Sequence, residues 1–427
     1  MPSPLPLSPA TSQRRVVITG LGPIACCGIG KAAFWESIRA GRSGITRIAG
    51  FDTSEFKAHI GGEIRAWDPT RFFPPHRLKR LDRYAQFAVA SALLALEDAG
   101  LPWSKEAPQA RVGVSFGTAL GGISGAEAEH AHFLKKGNRG VNQTLALQVF
   151  GGSAHSNIAI ECGFRGPGTT NSNSCASGVV SVGEAMRYIR DGMAEVFIAG
   201  GAEAPLSPLS FGAFDFIRTM SRWSGEPPAL ACRPFDRERD GFVMGEGGAS
   251  VVVEEYEHAR RRGARIYAEV LGYALNNEAF HMTTPLPGGE CVIRCMQEAL
   301  ADAGVRPEQI DYINAHASGT QANEANEAHC IQHVFRECPA PPPVSGTKAF
   351  TAHPLGATGA METAICALAI DEGYLPPTLH HRTPDPDCTL DVIPNVGRAQ
   401  PVRYALNNAF GFGGINACLV LGKIDPR

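Results

Sequence analysis

No run of apolar residues in this chain reaches the ~20 that a spanning helix needs, so no membrane partner is expected. Neither sign of charge dominates: 39 Lys and Arg face 42 Asp and Glu, a formal net charge of −3. That balance supplies no global field for nucleic acid or a membrane surface. The twelve cysteines lack the paired spacing of a zinc site; Cys26 and Cys27 are adjacent and the rest are scattered. Without a secretory signal they read as reduced thiols of the core or an active site, and the expected location is cytoplasmic. The first residues, MPSPLPLSPATSQ, have neither a basic n-region nor an apolar h-region. Residues 1–13 are therefore expected to be a flexible tail.

What is present is an ordinary globular composition, 44% hydrophobic and 19% charged over 427 residues. That length suits two or three domains or one large duplicated unit. Short apolar strands alternate with helical periodicity. Helices are expected at Tyr84–Ala99, Glu290–Ala303 and Met361–Asp371. Strands are expected from Arg14, at Arg111–Phe116, Glu195–Ala199, Gly248–Glu254 and Ile310–Ala315, and late in the chain at Tyr404–Asn408 and Cys418–Leu421. Alternation of this kind predicts an α/β protein with sheets covered by helices. Each half has a small-residue loop leading into a helix, Ser172–Gly178 and His353–Gly359, and a glycine-rich strand end, Gly200-Gly201 and Gly411–Gly414. These hint at duplication, with a junction near Tyr256–Ala264, so residues 14–258 and 259–427 form the two halves.

The stretch Thr169–Gly183 reads TTNSNSCASGVVSVG. Val179, Val182, Met186 and Ile189 recur at helical spacing, so a helix is predicted over about 176–190 with Cys175 at its N-terminus. Unpaired N–H groups and the helix dipole favour an anion there. An unperturbed thiol is only ~3% thiolate at pH 7, and such a site, with histidine neighbours, can lower its pKa. Cys175 is thus a candidate activated nucleophile, or else a buried structural or capping residue.

Two histidines have positions suited to chemistry. His316 ends the strand Ile310-Asp-Tyr-Ile-Asn-Ala-His, at the carboxyl edge where α/β proteins place functional groups. His353 lies in a tight loop ahead of a helix, five residues after Lys348. Glu362 falls inside an apolar helix, where an acid needs a partner, and Lys348 could supply it. The glycines of Asn407-Asn-Ala-Phe-Gly-Phe-Gly-Gly-Ile-Asn416 form a turn or aim N–H groups at an oxyanion. Gly20–Ala25 (GLGPIA) fits G-x-G-x-x-A, yet the next helix begins only near Lys31 and the expected acidic partner is missing. A strand-to-helix turn is the better reading.

Several blocks, in order, resemble a known family. They are Cys-Ala-Ser-Gly at 175, Ala-Gly-Gly-Ala-Glu at 199–203, Arg-Pro-Phe-Asp-Arg-Glu-Arg-Asp-Gly-Phe at 233–242 and Gly-Glu-Gly at 245–247. Asn-Ala-His at 314–316, Thr-Lys at 347–348, His353 and Phe-Gly-Phe-Gly-Gly at 410–414 complete the set. Over residues 14–424 the chain resembles the elongating β-ketoacyl-[acyl-carrier-protein] synthases of the thiolase-like superfamily.

That resemblance implies a duplicated α/β fold in five layers, α-β-α-β-α, usually as a homodimer, working without a metal or redox cofactor. It implies that Cys175 accepts an acyl group from acyl carrier protein, and that His316 and His353 promote decarboxylation of a malonyl extender. Lys348 would hold Glu362 and organise the histidine loop. Phe412, with Gly413 beside it, would gate the site, and the Phe412 N–H would join that of Cys175 in holding the oxyanion. By the same resemblance Leu120 and Phe214 line the acyl pocket, while Ser318 and Thr320 offer hydroxyls to a pantetheine arm. Lys79 and Arg80, within the basic run Arg71–Arg83, and Arg218 fall where relatives dock the carrier protein.

The chain also departs from the pattern. The usual His-Gly-Thr-x-Thr reads His316-Ala-Ser-Gly-Thr320, and the usual glycine before the second histidine is Ala352. Pro354 pushes the backbone of His353 away from the helical region. Fatty-acid elongation or a specialised polyketide or polyene pathway would fit these features. One alternative is the catalytic subunit of a ketosynthase/chain-length-factor heterodimer. A non-catalytic partner protein is disfavoured by Cys175, His316 and His353 together; a nucleotide-dependent dehydrogenase rests only on Gly20–Ala25. A thiolase would need a second reactive cysteine, and Cys418, on an apparent strand, is expected to pack in the core.

Overall fold

Ten strands share one continuous sheet path in the computed structural model, which describes residues 14–425. The segment read above as a tail lies outside the described residues. In chain order the strands are β1 (Val16–Ala25), β2 (Val112–Gly117), β3 (Gly168–Asn171), β4 (Val196–Glu203) and β5 (Gly247–Glu255). Then come β6 (Ala268–Asn277), β7 (Tyr312–Asn314), β8 (Val344–Ser345), β9 (Tyr404–Gly411) and β10 (Ile415–Gly422). Their spatial order is β3-β2-β4-β5-β1-β6-β10-β9-β7-β8. The first five strands thus run 3-2-4-5-1, and the last five repeat that order.

Strand direction repeats as well. β2 is parallel to β3 and β4, while β4–β5 and β5–β1 are antiparallel. β7 is likewise parallel to β8 and β9, while β9–β10 and β10–β6 are antiparallel. The halves meet where β1 pairs with β6, Val17 opposite Glu269 and Ile18 opposite Ala268. Duplication is therefore written in the topology. The polar segment near 256–264 contributes the short helix Tyr256–Arg261 between β5 and β6.

Among the described helices, α1 (Arg83–Ala99), α2 (Ser153–Cys162), α3 (Ser177–Arg190), α5 (Glu290–Ala303), α6 (Gln321–Val334) and α7 (Thr358–Glu372) cover or fill the sheet, while α4 (Pro208–Phe216) packs through Phe211 on the apolar cluster beside Cys175. Three apolar clusters define the layers. α1 and α2 pack on one face of the first half with Val112, Val196 and Val252. α5 and α6 pack on the second half with Ile313, Cys418 and Val420. Between the two half-sheets, α3 and α7 bury Val179, Met186, Ile365 and Leu368 against Val251, Leu419 and Leu421. Strands covered on both faces read as continuous apolar runs, which is why GINACLVL shows little alternation. α7 is buried from Thr358 to Ile370 and is apolar around most of its circumference, as a central helix must be.

Two sequence expectations change here. Gly20–Ala25 is no turn: it continues β1 to its end. A Cβ on Gly20 would lie 2.2 Å from the Ala95 carbonyl oxygen, and one on Gly22 2.0 Å from that of Ser91. Those glycines let α1 lie against the strand and cradle no phosphate. Similarly, Gly200-Gly201 lies inside β4, because an added Cβ would meet the Ala249 and Gly356 carbonyl oxygens at 2.1 and 2.3 Å.

Candidate active site

The two central helices approach backbone to backbone near their N-termini. A Cβ on Gly178 would lie 2.5 Å from the Ala360 nitrogen, and one on Gly359 2.7 Å from that of Val179. A single 3₁₀ turn precedes each helix, Ser174–Ala176 before α3 and Leu355–Ala357 before α7. The first carries Cys175. The second follows His353, whose extended backbone is bridged to Met244 and donates its N–H to the Val243 carbonyl at 2.8 Å. His316 emerges just past the end of β7.

Cys175, His316 and His353 open on one cavity of about 730 Å³. Leu120, Phe214, Phe412 and Gly413 line it as well, and so do Ser318, Thr320 and Arg218. The imidazoles of His316 and His353 meet edge to face, ring centroids 5.5 Å apart. Phe412 stacks on Phe214 at 6.2 Å, and Phe242 turns its edge toward both Phe214 and His353. Lys348 and Glu362 stay behind the cavity wall. The Lys348 ammonium, fully buried, sits 2.6 Å from Glu362 Oε1 and donates to the His316 carbonyl. Burial pushes the Glu362 carboxyl up to about 7, against the pull of the ammonium.

Both imidazoles are held neutral at pH 7, their pKa values driven well below the usual histidine range by burial and by the Lys348 charge. Thr358 Oγ1 lies 2.9 Å from His353 Nδ1. A hydroxyl that donates to Nδ1 selects the tautomer with its proton on Nε2. The thiol differs from expectation. Burial, at 8% exposure, raises the Cys175 pKa above its ordinary value. The Ser174 hydroxyl, the Lys348 ammonium and the Phe412 N–H oppose that rise. Helix placement alone does not produce a low-pKa thiolate here.

Several of the predicted residues have partners of their own. The N–H of Gly413 donates to the Met282 carbonyl at 2.8 Å, so it is not free for an oxyanion. Thr320 caps α6 by accepting from the Asn323 N–H, and its hydroxyl pairs with that of Ser318 at 3.1 Å. The basic run is no uniform helix face. Arg77 pairs with Glu161 and Arg83 with Glu246, while Lys79 and Arg80 stand exposed away from the cavity and Arg218 is exposed along it. Cys418 is buried in the core, its thiol 3.3 Å from Asn408 Oδ1.

Three buried acids escaped the sequence reading. Glu203 accepts from Thr118 Oγ1 and from the N–H groups of Ala119, Leu120 and Gly356, tying the pocket loop to the turn after His353. Glu327 accepts the N–H groups of His316 and Ala317 at 2.8 and 2.9 Å, and Glu324 accepts that of Gly319. For Glu203 the available signal is an acid at the end of an otherwise apolar strand, since a buried charge needs donors; Glu324 and Glu327 lie on the polar helix α6 and carry no such signal.

The departures Ala317 and Ala352 both sit in left-handed backbone, at φ 39° and φ 57°. Ala352, with ψ −160°, occupies a region nearly reserved for glycine, at a cost of about 1–3 kcal/mol. Its Cβ fits where Gly62 and Gly245 carry none. Ala352→Gly should therefore raise folding stability by on the order of 1 kcal/mol. A thermal midpoint at or below that of the parent would show that the strain is relieved elsewhere.

A duplicated α/β fold that opens a cysteine and two histidines onto one cavity beside its central helices has the architecture of the thiolase-like ketosynthases. Residues 13–259 match the beta-ketoacyl synthase N-terminal domain and residues 267–382 the C-terminal domain, and the chain belongs to that family. It is 40% identical over 412 residues to the 3-oxoacyl-[acyl-carrier-protein] synthase 2 of Coxiella burnetii, covering 96% of this chain and 99% of the relative. Among solved structures, a type II polyketide-synthase ketosynthase in complex with its acyl-carrier protein is 36% identical, with a TM-score of 0.89 over 97% of this chain and 100% of the other. The ishigamide ketosynthase/chain length factor is also 36% identical, with a TM-score of 0.90 and the same coverage.

Proposed function

We propose that this chain is a β-ketoacyl-[acyl-carrier-protein] synthase that joins an acyl group to a malonyl extender by decarboxylative Claisen condensation. The observation that carries this reading is the convergence of Cys175, His316 and His353 on one cavity. In the first half-reaction the Cys175 sulfur attacks the carrier thioester carbonyl. Its C–S bond to pantetheine breaks, and the released thiolate takes the proton. Dividing the chemistry in two gives ping-pong kinetics.

Malonyl thioester then enters. Neutral Nε2–H groups of His316 and His353 donate to its thioester oxygen and stabilise the enolate left when the carboxylate departs as CO₂. The enolate carbon attacks the acyl-Cys175 carbonyl, whose oxyanion takes hydrogen bonds from the N–H groups of Cys175 and Phe412. Collapse expels the cysteine thiolate and leaves β-ketoacyl carrier protein. Lys348, anchored by Glu362, fixes the His316 backbone, Phe412 stacked on Phe214 gates entry, and Ser318 and Thr320 face the pantetheine arm. Written this way, the chemistry uses no metal or redox cofactor.

The ishigamide ketosynthase/chain length factor among the solved relatives supports a second reading of the assembly, as the catalytic subunit beside a chain-length-factor-like homologue, with a homodimer as the alternative. Intact-mass measurement after incubation with acyl carrier proteins bearing acyl groups of different length and oxidation state tests the activity. An added acyl mass supports the function and ranks primers; no adduct from any of them overturns it. Co-purification with a homologue lacking the cysteine distinguishes the two assemblies.

The carrier protein, acidic along its recognition helix, would be steered by local charge, since the chain as a whole is slightly acidic. Lys79 and Arg80 are free for this role, unlike the ion-paired Arg77 and Arg83, and Arg218 is exposed at the cavity. Rim charges mostly set association rate and salt dependence. Reversing Lys79 and Arg80 to Glu should raise KM for the carrier-protein substrate several-fold and flatten its salt dependence. Turnover of a small pantetheine thioester should stay the same. Equal loss on both substrates would place the dock elsewhere.

A further inference from the structure

We propose that Ser174 is a further catalytic residue, its hydroxyl donating to Cys175 Sγ whenever that sulfur carries negative charge. The two side-chain atoms are 3.8 Å apart, within reach of an O–H···S hydrogen bond. Ser174 also lines the cavity beside the thiol. The placement is built into the backbone. Ser174 sits at φ 52°, a strained conformation for a residue with a side chain. It is held there from two sides: Ser177 Oγ donates to its carbonyl at 2.7 Å, and Gly411 approaches so closely that an added Cβ would come within 3.1 Å of Ser174 Cβ.

The inference rests on the reading of Cys175 as the acyl acceptor and extends it. Negative charge reaches the sulfur twice per cycle. It is present when the thiolate attacks the carrier thioester, and it returns when the C–S bond of acyl-Cys175 breaks and its electron pair moves to sulfur. A donor fixed at the sulfur serves both moments, whereas the histidines act at the malonyl oxygen. Such a donor matters because the thiol is buried. The other groups acting on it are the Lys348 ammonium and the Phe412 N–H, which favour the thiolate, and the Glu203 carboxyl, which opposes it. His316 and His353 share the cavity as neutral rings. All of them remain when only the hydroxyl is removed.

The test measures alkylation of Cys175 by iodoacetamide against pH, by mass, in the full-length protein and in Ser174→Ala. Loss of a hydrogen bond to a charged sulfur should move the midpoint up by about one pH unit and slow alkylation about ten-fold at neutral pH, with the rates converging well above the midpoint. Single-turnover acylation and condensation should each slow about ten-fold. Ser174→Gly suits the left-handed backbone, so it relieves strain while lacking the hydroxyl, and it should show the same shift. An unchanged midpoint, or a loss equal at every pH, would overturn the proposal. Failure of Cys175 to take up acyl groups would instead overturn the parent reading, and the alkylation profile would still decide the role of Ser174.

Discussion

Cys175→Ala should abolish acyl uptake from carrier thioesters while the protein keeps its fold and assembly. The substitution removes one sulfur atom from a residue already in a helical N-terminal turn, and alanine is accommodated there without a new polar group. The loss of turnover should be very large, on the order of 10⁶ where a covalent nucleophile is deleted. No second thiol is placed to substitute. Cys26, Cys27 and Cys338 are half-buried, the other cysteines are buried, and only Cys175 lines the cavity among the described residues. Intact mass reports the adduct, and a thermal melt reports the fold. An acyl adduct persisting in the folded variant would move the nucleophile to another residue.

The sequence made the elements legible where local rules dominate. The period of Val179, Val182, Met186 and Ile189 marks α3, and the apolar pattern puts His316 at a strand end. Duplication was only hinted at, because it resides in strand order, which no local pattern encodes. Gly20, Gly22, Gly200 and Gly201 misled for one reason. Glycine marks both turns and close backbone approach, and only the tertiary structure shows which constraint applies. The thiol state was missed for a related reason: helix placement is local, whereas burial is a property of the whole fold. Glu203 and Glu327 act on backbone N–H groups more than eighty and about ten residues away, respectively. Ser174 stood beside the cysteine in plain view, but its reach toward the sulfur depends on a positive φ that its side chain does not advertise.

His316→Ala and His353→Ala should each retain acylation of Cys175 and lose condensation. In the proposed mechanism the acyl transfer step uses the thiol and the oxyanion N–H groups, whereas the enolate needs both imidazole donors. Removing one donor from a preorganised site costs about 3–4 kcal/mol, a factor of about 10²–10³ in rate. Because burial and Lys348 hold both rings neutral, the donor form persists below the usual histidine range. The sign follows directly. An imidazole whose pKa is lowered in the folded protein gains its proton only at more acidic pH, so condensation by pre-acylated enzyme should show no imidazole step as pH falls from 8 through 6.5, and a change near 7 belongs to the Glu362 carboxyl that anchors Lys348. Acylation should instead rise with pH, following the raised Cys175 thiol. Rapid-quench measurement of the two half-reactions separates these profiles. Condensation near the parent rate in either alanine variant, or a fall in condensation centred at pH 6.5, would mean that the histidine concerned does not serve as a neutral donor to the enolate.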